Sequence, residues 1–360
     1  MFQKGLKDVV AVQTSIASVD GDRGELRYRG QRVDEVIEGR SFEETAYFLW
    51  HGRFPSAQEA EELTEQLIRY RLLPPHIIEM AQLLPPGSSV MDSLRTLVSA
   101  FTHHMFTKLP SAEQAVAITA ALPVLTAMVY RFQKGEDIIQ PRNDLGHTAN
   151  YLWMLDGLEP SAAQVEALET YLKLTMEHGM NASTFAARVT ISTESDLASA
   201  ITSALGTMKG PLHGGAPSGV IDLLDEIGNP ENISQVILSK LEKGEKIMGF
   251  GHRVYRTEDP RSIILREKCL ALQGKDPWLD LAVVAETEII RLLNAHKPGR
   301  ALYTNVEFYA AAIMRSIDMP SELFTPTFSI ARIVGWTAHA LEQQQDNVIF
   351  RPQSEYIGNN

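Results

Sequence analysis

Cysteine is almost missing from this chain: Cys269, in a run that reads as helix, is the only thiol in 360 residues. That excludes a disulfide framework within the chain and a thiol-ligated metal site. Positive charge is in deficit too. The 33 Lys and Arg face 45 Asp and Glu, a formal net charge of -12, which argues against a nucleic-acid-binding surface and favours solubility. Apolar runs fall short of the ~18 residues that a membrane span needs. The nearest, Ala115 to Tyr130, is dominated by alanine and contains Pro123, and reads as a buried helix. The start, Met1 to Asp8, lacks the basic, then apolar, then small-residue order of a signal peptide. The expectation is a cytoplasmic protein with neither membrane nor nucleic acid as partner.

Whole classes of motif are absent as well. No His-Glu-x-x-His, Cys-x-x-Cys or carboxylate-rich loop occurs, so no dedicated metal site is expected. There is no P-loop and no Gly-x-Ser-x-Gly elbow. Gly249-Phe-Gly251 lacks the third glycine and the βαβ context of a dinucleotide fingerprint.

What is present is an ordinary globular composition, 44% hydrophobic and 22% charged, long enough for two domains. The clearest β signal lies in residues 9–29. Val9 to Val12 and Glu25 to Tyr28 flank the turn-rich Asp20-Gly-Asp-Arg-Gly24, which suits a hairpin. The rest reads as helix. Ser41 with Glu44, Ser56 with Glu59, Ser111 with Gln114 and Ser161 with Gln164 have capping-box spacing, and Thr193 with Asp196 repeats the signal. The Ser161 helix should run through Met176 into His178. The last long helix should start near Pro326. Between Gly214 and about Ala312 helices should be shorter. The fold class predicted is mainly α with a short N-terminal β-hairpin: a large helical domain from residues 1–213 and 319–360, and a smaller inserted one from 214–318.

Candidate chemistry concentrates in Ile247 to Arg261. His252 directly follows a Gly-x-Gly turn and lies within nine residues of Arg253, Arg256 and Arg261, a composition suited to anions beside one titratable group. His213 is bracketed by glycines in Gly210 to Gly215, which permits close backbone approach to a ligand. His178 precedes Asn181-Ala-Ser-Thr184. Each also has a plain structural explanation: His213 capping a helix, His252 in a surface loop beside ion pairs of Glu258 and Asp259, His178 a cation at a helix C-terminus. The other seven histidines, His51, His76, His103, His104, His147, His296 and His339, have no second functional residue at meaningful spacing.

Order and wording together are more specific than any one signal. Gly210-Pro-Leu-His-Gly-Gly215, then Gly249-Phe-Gly-His-Arg-Val-Tyr-Arg-Thr-Glu-Asp-Pro-Arg261, then Asn305-Val-Glu-Phe-Tyr309 resembles the citrate synthase family. Glu177-His-Gly-Met-Asn-Ala-Ser183, Gly24-Glu-Leu-Arg-Tyr-Arg-Gly30, Arg332-Ile-Val-Gly-Trp336 and Arg351-Pro352 extend the likeness over nearly the whole chain. The pattern is similar to the short, dimeric type.

The resemblance implies condensation of an acyl-CoA with oxaloacetate, then hydrolysis of the citryl thioester. By the family pattern Glu307 is the base, His213 donates to the thioester oxygen, and His252 polarises the oxaloacetate ketone. Arg261, Arg332 and an Arg351 from the other subunit of a homodimer would hold the oxaloacetate carboxylates, helped by His178. Arg256 and Arg300 would meet CoA phosphates, with Gly249 and Gly251 in the backbone that takes the adenine. No metal or redox cofactor is implied. The inserted domain would close after oxaloacetate binds. Three departures gather at this site: Glu307 stands where the family usually has Asp, Pro217 replaces an Asn, and Glu177 and Gly179 replace Asp and Glu. The added methylene at Glu307 shifts the base by on the order of an ångström, a displacement that can lower rates ~10²-fold. The expectation is a slow citrate synthase. Alternatives are a 2-methylcitrate synthase using propionyl-CoA and a weakly active paralogue kept for binding or regulation.

Overall fold

The structure, a computed structural model, describes residues 2–101, 105–106, 109–214, 216–252, 254–271, 277–296 and 302–358, with 216–218 described as backbone only. Helices dominate, and the strands described form one three-stranded antiparallel sheet near the N-terminus. Strand β1 (Ala17–Asp20) pairs with β2 (Glu25–Tyr28), which pairs with β3 (Gln31–Arg32).

The hairpin is therefore real, but its first strand is not Val9 to Val12. Asp20 stands opposite Glu25, so the turn closes directly on residues 21–24. A strand starting at Val9 would need a much longer loop to reach the same partner. Residues 9–14 instead run outside any strand, with Val10 exposed.

Tyr28 anchors the hairpin to the helical body. Its buried hydroxyl lies 3.1 Å from the carbonyl oxygens of Lys173 and Leu174 and accepts from Glu177 N at 3.3 Å. It thus satisfies backbone groups at the end of the Ala162–Thr175 helix. That helix stops before His178, which lies in the irregular segment that follows. Gly179 there takes φ 61°, and a Cβ on it would come 3.3 Å from Val19 Cγ2. Glycine at this position thus follows from the backbone and the hairpin packed on it.

All four expected capping boxes form. At the fifth, Asp196 alone is the N-cap, accepting from Ser199 N, while Thr193 ends the preceding helix. The Ala112–Gln133 helix is the centre of the core, buried from Gln114 to Tyr130. By length and composition it could cross a membrane, yet the helices around it cover it. Alanine on several faces lets the Ala57–Tyr70, His147–Asp156 and Phe324–Gln345 helices pack against it. His147, on one of these, is buried against the Phe42 ring with centroids 4.2 Å apart.

The last helix, Phe324–Gln345, starts two residues before Pro326, which sits in its first turn, where a missing N–H is tolerated. Between residues 216 and 316 the helices pack chiefly on one another, and Pro277–His296, at 20 residues, is not short. Beyond Gln345 the described residues form no helix or strand and leave Val348, Ile349, Tyr356 and Ile357 exposed.

Candidate active site

Two glycines shape the Ile247–Arg261 stretch. Gly249 has φ 85° and Gly251 φ 82°, and a Cβ on Gly249 would lie 2.8 Å from the Phe308 ring. This close approach lets the stretch zip onto residues 303–305. Gly251 N donates to Tyr303 O at 2.8 Å, Asn305 N donates to Gly249 O at 2.9 Å, and Phe250 bridges Thr304. Asn305 then does two things. Its Oδ1 caps the Val306–Ser316 helix by accepting from Glu307 N, and its Nδ2 donates to Gly251 O at 3.0 Å. Glu307 is therefore tied to the loop that carries His252.

His252 is not a surface-loop histidine. Its Nδ1 accepts from both Val254 N and Tyr255 N at 3.0 Å. A nitrogen that accepts two N–H bonds carries no proton, so the neutral ring holds its proton on Nε2. Burial, then the Arg261 charge, pushes the pKa down to about 4. The ring is neutral near pH 7 and can donate one hydrogen bond from Nε2.

His178 stands at right angles to His252, with centroids 5.4 Å apart, and its Nε2 is 3.1 Å from Tyr255 OH. Burial and the charges of Arg261 and Arg332 hold its pKa well below the ordinary value. Tyr255, buried between the two histidines, is a site residue that sequence reasoning passed over. It was visible only as the tyrosine of the Val-Tyr-Arg wording.

His213 is brought close to Ser183, Nε2 to Oγ at 2.8 Å, and that hydroxyl also accepts from Trp336 Nε1 at 3.0 Å. Burial, then Arg332, lowers its pKa to about 4. Ser183 and Trp336 stand in two of the motifs, but nothing in the local pattern marks them as partners of a histidine 30 or more residues away.

Arg261 is buried and gripped by Asp259: Nε to Oδ1 at 3.0 Å and a second guanidinium nitrogen to Oδ2 at 2.7 Å. Asp259, expected beside His252, pairs instead with this arginine and caps its helix. Arg332 is buried, donates from Nε to Thr175 O at 2.9 Å, and lies 4.9 Å over the Phe328 ring. Two buried guanidinium groups thus act on the three neutral histidines, with Arg261 neutralised in part by Asp259.

Glu307 is the carboxylate of this site. Its Oε2 is buried and has no hydrogen-bond partner among the described residues. Burial raises its pKa, with the Arg261 charge opposing. Such an orphaned oxygen costs stability, and a functional use is one reason for a protein to keep it.

Behind the site, His339 reads as structural, as expected, but it belongs to a buried polar chain. Arg188 Nε donates to its Nδ1 at 3.0 Å, and its Nε2 faces Glu177 Oε1 at 3.2 Å. Other expected residues are not assembled. Arg256 is exposed and pairs with Asp22 at 3.1 Å. Arg351 is exposed in the tail and has no ion pair among the described residues. Arg300, Arg253, Gly215, His103 and His104 lie outside the described residues, as does the Pro217 side chain. The Pro217 backbone falls in the first turn of the Ala216–Ile227 helix, where proline is accommodated.

The arrangement suits acid–base chemistry on an anion: a buried carboxylate, neutral histidines that can donate, and two buried arginines. Comparison with known proteins shows the family. A model of the citrate synthase family's C-terminal domain matches residues 5–353. Citrate synthase 2 of Bacillus subtilis is 41% identical over 364 residues, 99% of this chain and 95% of that protein. The 2-methylcitrate synthase 2 of Corynebacterium glutamicum is 38% identical, covering 99% of this chain and 94% of that protein. The crystal structure of citrate synthase from Thermotoga maritima superposes with a TM-score of 0.90 at 38% identity, covering 100% of this chain and 96% of that one. The chain belongs to the citrate synthase family and is an acyltransferase of that type.

Proposed function

We propose that the protein condenses an acyl-CoA, in the first instance acetyl-CoA, with oxaloacetate and hydrolyses the thioester product to citrate and CoA. The observation that carries this reading is the buried, unpartnered Oε2 of Glu307, with a raised pKa, tied through Asn305 to the His252 loop and sharing the Arg261 and Arg332 charges with the neutral histidines. A hydrogen beside a thioester is very weakly acidic, so its removal needs a base and a donor on the thioester oxygen together. Glu307 takes that proton. His213 donates to the thioester oxygen; with Nε2 engaged by Ser183, its Nδ1 is the nitrogen left for the ligand. The enol carbon attacks the ketone while His252 donates a hydrogen bond from Nε2 to the ketone oxygen; the alkoxide that forms takes up that proton, and the proton removed by Glu307 returns to the ring through water, so both groups end as they began. Water then cleaves the thioester and the CoA thiol leaves.

Arg261 and Arg332 suit two carboxylates because a guanidinium can meet each one with two parallel donors. His178 adds a hydrogen bond. The Thermoplasma acidophilum relative, 29% identical at a TM-score of 0.92, was crystallised with carboxymethyl coenzyme A and oxaloacetate, which supports the same pair of ligands here. Residues 214–318 act as a domain that closes over them. Arg256, Arg300 and the Gly249–Gly251 backbone receive CoA. The active form is a cytoplasmic homodimer in which Arg351 completes the partner's site, and the exposed apolar tail supports that. No cofactor is called for.

A second reading, 2-methylcitrate synthesis from propionyl-CoA, is favoured by relatives of that name at 35% and 38% identity and by the longer reach of Glu307. Thiol release measured with purified protein, oxaloacetate and each acyl-CoA separates the two by kcat/KM. Ligand binding without thiol release above background would leave a binding paralogue instead.

A further inference from the structure

We propose that Glu286 is a positioning residue for the base, a buried carboxylate that grips the start of the Val306–Ser316 helix from behind and so sets where Glu307 points. The inference rests on Glu307 being the base of the proposed reaction. Glu286 lies midway along the Pro277–His296 helix and is only 6% exposed. Its Oε1 accepts from Thr304 Oγ1 at 2.6 Å, and its Oε2 accepts from Tyr309 OH at 2.5 Å. Arg266, on the Pro260–Leu270 helix, places Nε 3.0 Å from the same Oε2.

The two hydroxyl donors bracket the base: Thr304 stands three residues before Glu307 and Tyr309 two after. Residues two apart on a helix are separated by roughly 200°, so they point to nearly opposite sides. Holding Tyr309 on Glu286 therefore turns Glu307 the other way, toward Arg261, whose charge acts on it. Holding Thr304 fixes the residue before Asn305, which joins the helix to Gly251 O. One carboxylate thereby sets both the rotation of the base helix and its register against the His252 loop. An apolar residue could fill the same volume, but it would leave two hydroxyls without their acceptor and Arg266 without its ion-pair partner, and would fix no direction.

The variants Glu286→Gln and Tyr309→Phe test this, with kcat and its pH profile measured by thiol release and oxaloacetate Kd by calorimetry. Melting curves establish the folded range. Misplacement of a catalytic group by about an ångström lowers rates ~10²-fold. Glu286→Gln is accordingly expected to lose between about tenfold and ~10²-fold in kcat, and Tyr309→Phe several-fold. The acid limb of the kcat profile, which reports the Glu307 carboxyl, should move in both, while the Kd for oxaloacetate stays within about twofold of the parent. A network serving only as structural glue would lower Tm and leave kcat and the acid limb in place. Folded variants with parental kcat and acid limb overturn the proposal, as does loss of oxaloacetate binding in step with kcat. If Glu286→Gln fails to fold, Tyr309→Phe decides alone, because it leaves Glu286 with Thr304 and Arg266. An inactive parent would overturn the proposed function; an active parent with indifferent variants overturns this inference only.

Discussion

Gly335 leaves no room for a side chain against Glu177: a Cβ at 335 would come within 2.4 Å of Glu177 Oε2 and of the Met176 carbonyl oxygen. The last helix can press on the segment that delivers His178 only because this position is bare. Gly335→Ala should destabilise the protein by ~1–3 kcal/mol, the usual cost of overpacking, and raise KM for oxaloacetate by displacing His178. Thermal melting and initial rates check this. Parental values of both would mean that the helix does not set the position of Glu177.

Glu307 links activity to stability with opposite signs. Its folded pKa is raised by burial, while in the unfolded chain it titrates near ~4.3. A raised carboxyl contributes stability that is fully present below the unfolded pKa and is lost as pH rises through the folded value. Glu307→Gln should therefore melt higher than the parent at neutral pH, with the gap closing below about pH 4. Its thiol release should fall by ~10²–10⁴-fold, the scale of a general base. If the added methylene lowers the rate of this protein, Glu307→Asp stays well above Glu307→Ala. Equal losses in the two would mean that glutamate is the properly placed base for this chain.

The hairpin turn supports the His252 loop from outside. A Cβ on Gly21 would lie 2.1 Å from Val254 O, and Gly21 O accepts from Arg256 N at 2.8 Å. Val254 and Tyr255 are the residues whose N–H groups hold His252. Gly21→Ala should then lower kcat by about tenfold or more through displacement of that turn, although residue 21 touches no substrate. An unchanged kcat in a folded variant would separate the hairpin from the site.

Arg351 offers a test of a shared active site. If it reaches the partner's site, subunits carrying Arg351→Ala and subunits carrying Glu307→Gln, each nearly inactive alone, should recover activity when unfolded and refolded together. Random pairing in a two-fold dimer yields about a quarter of parental activity, because half the dimers hold one intact site. No recovery, with mixed dimers verified by mass, would confine the site to one chain.

The sequence determined the elements and the outline of the chemistry by local means. Serines three residues ahead of Glu or Gln started four helices as read, because a capping box needs only a short segment of chain. The glycines around His252, and the arginines beside it, were legible for the same reason. Where a signal depended on partners, it misled: Val9 to Val12 has strand composition, yet closure of the turn gave the pairing to Ala17–Asp20. The tertiary structure alone decided which nitrogen of His252 holds the proton, and that Tyr255 and Ser183 join the histidines. It also decided that Arg256 rests on Asp22, and that Glu286 stands behind Glu307. Each of these depends on where separate segments meet and on which side of each a polar atom faces. Packing of the whole chain fixes those angles, and the local pattern of residues does not.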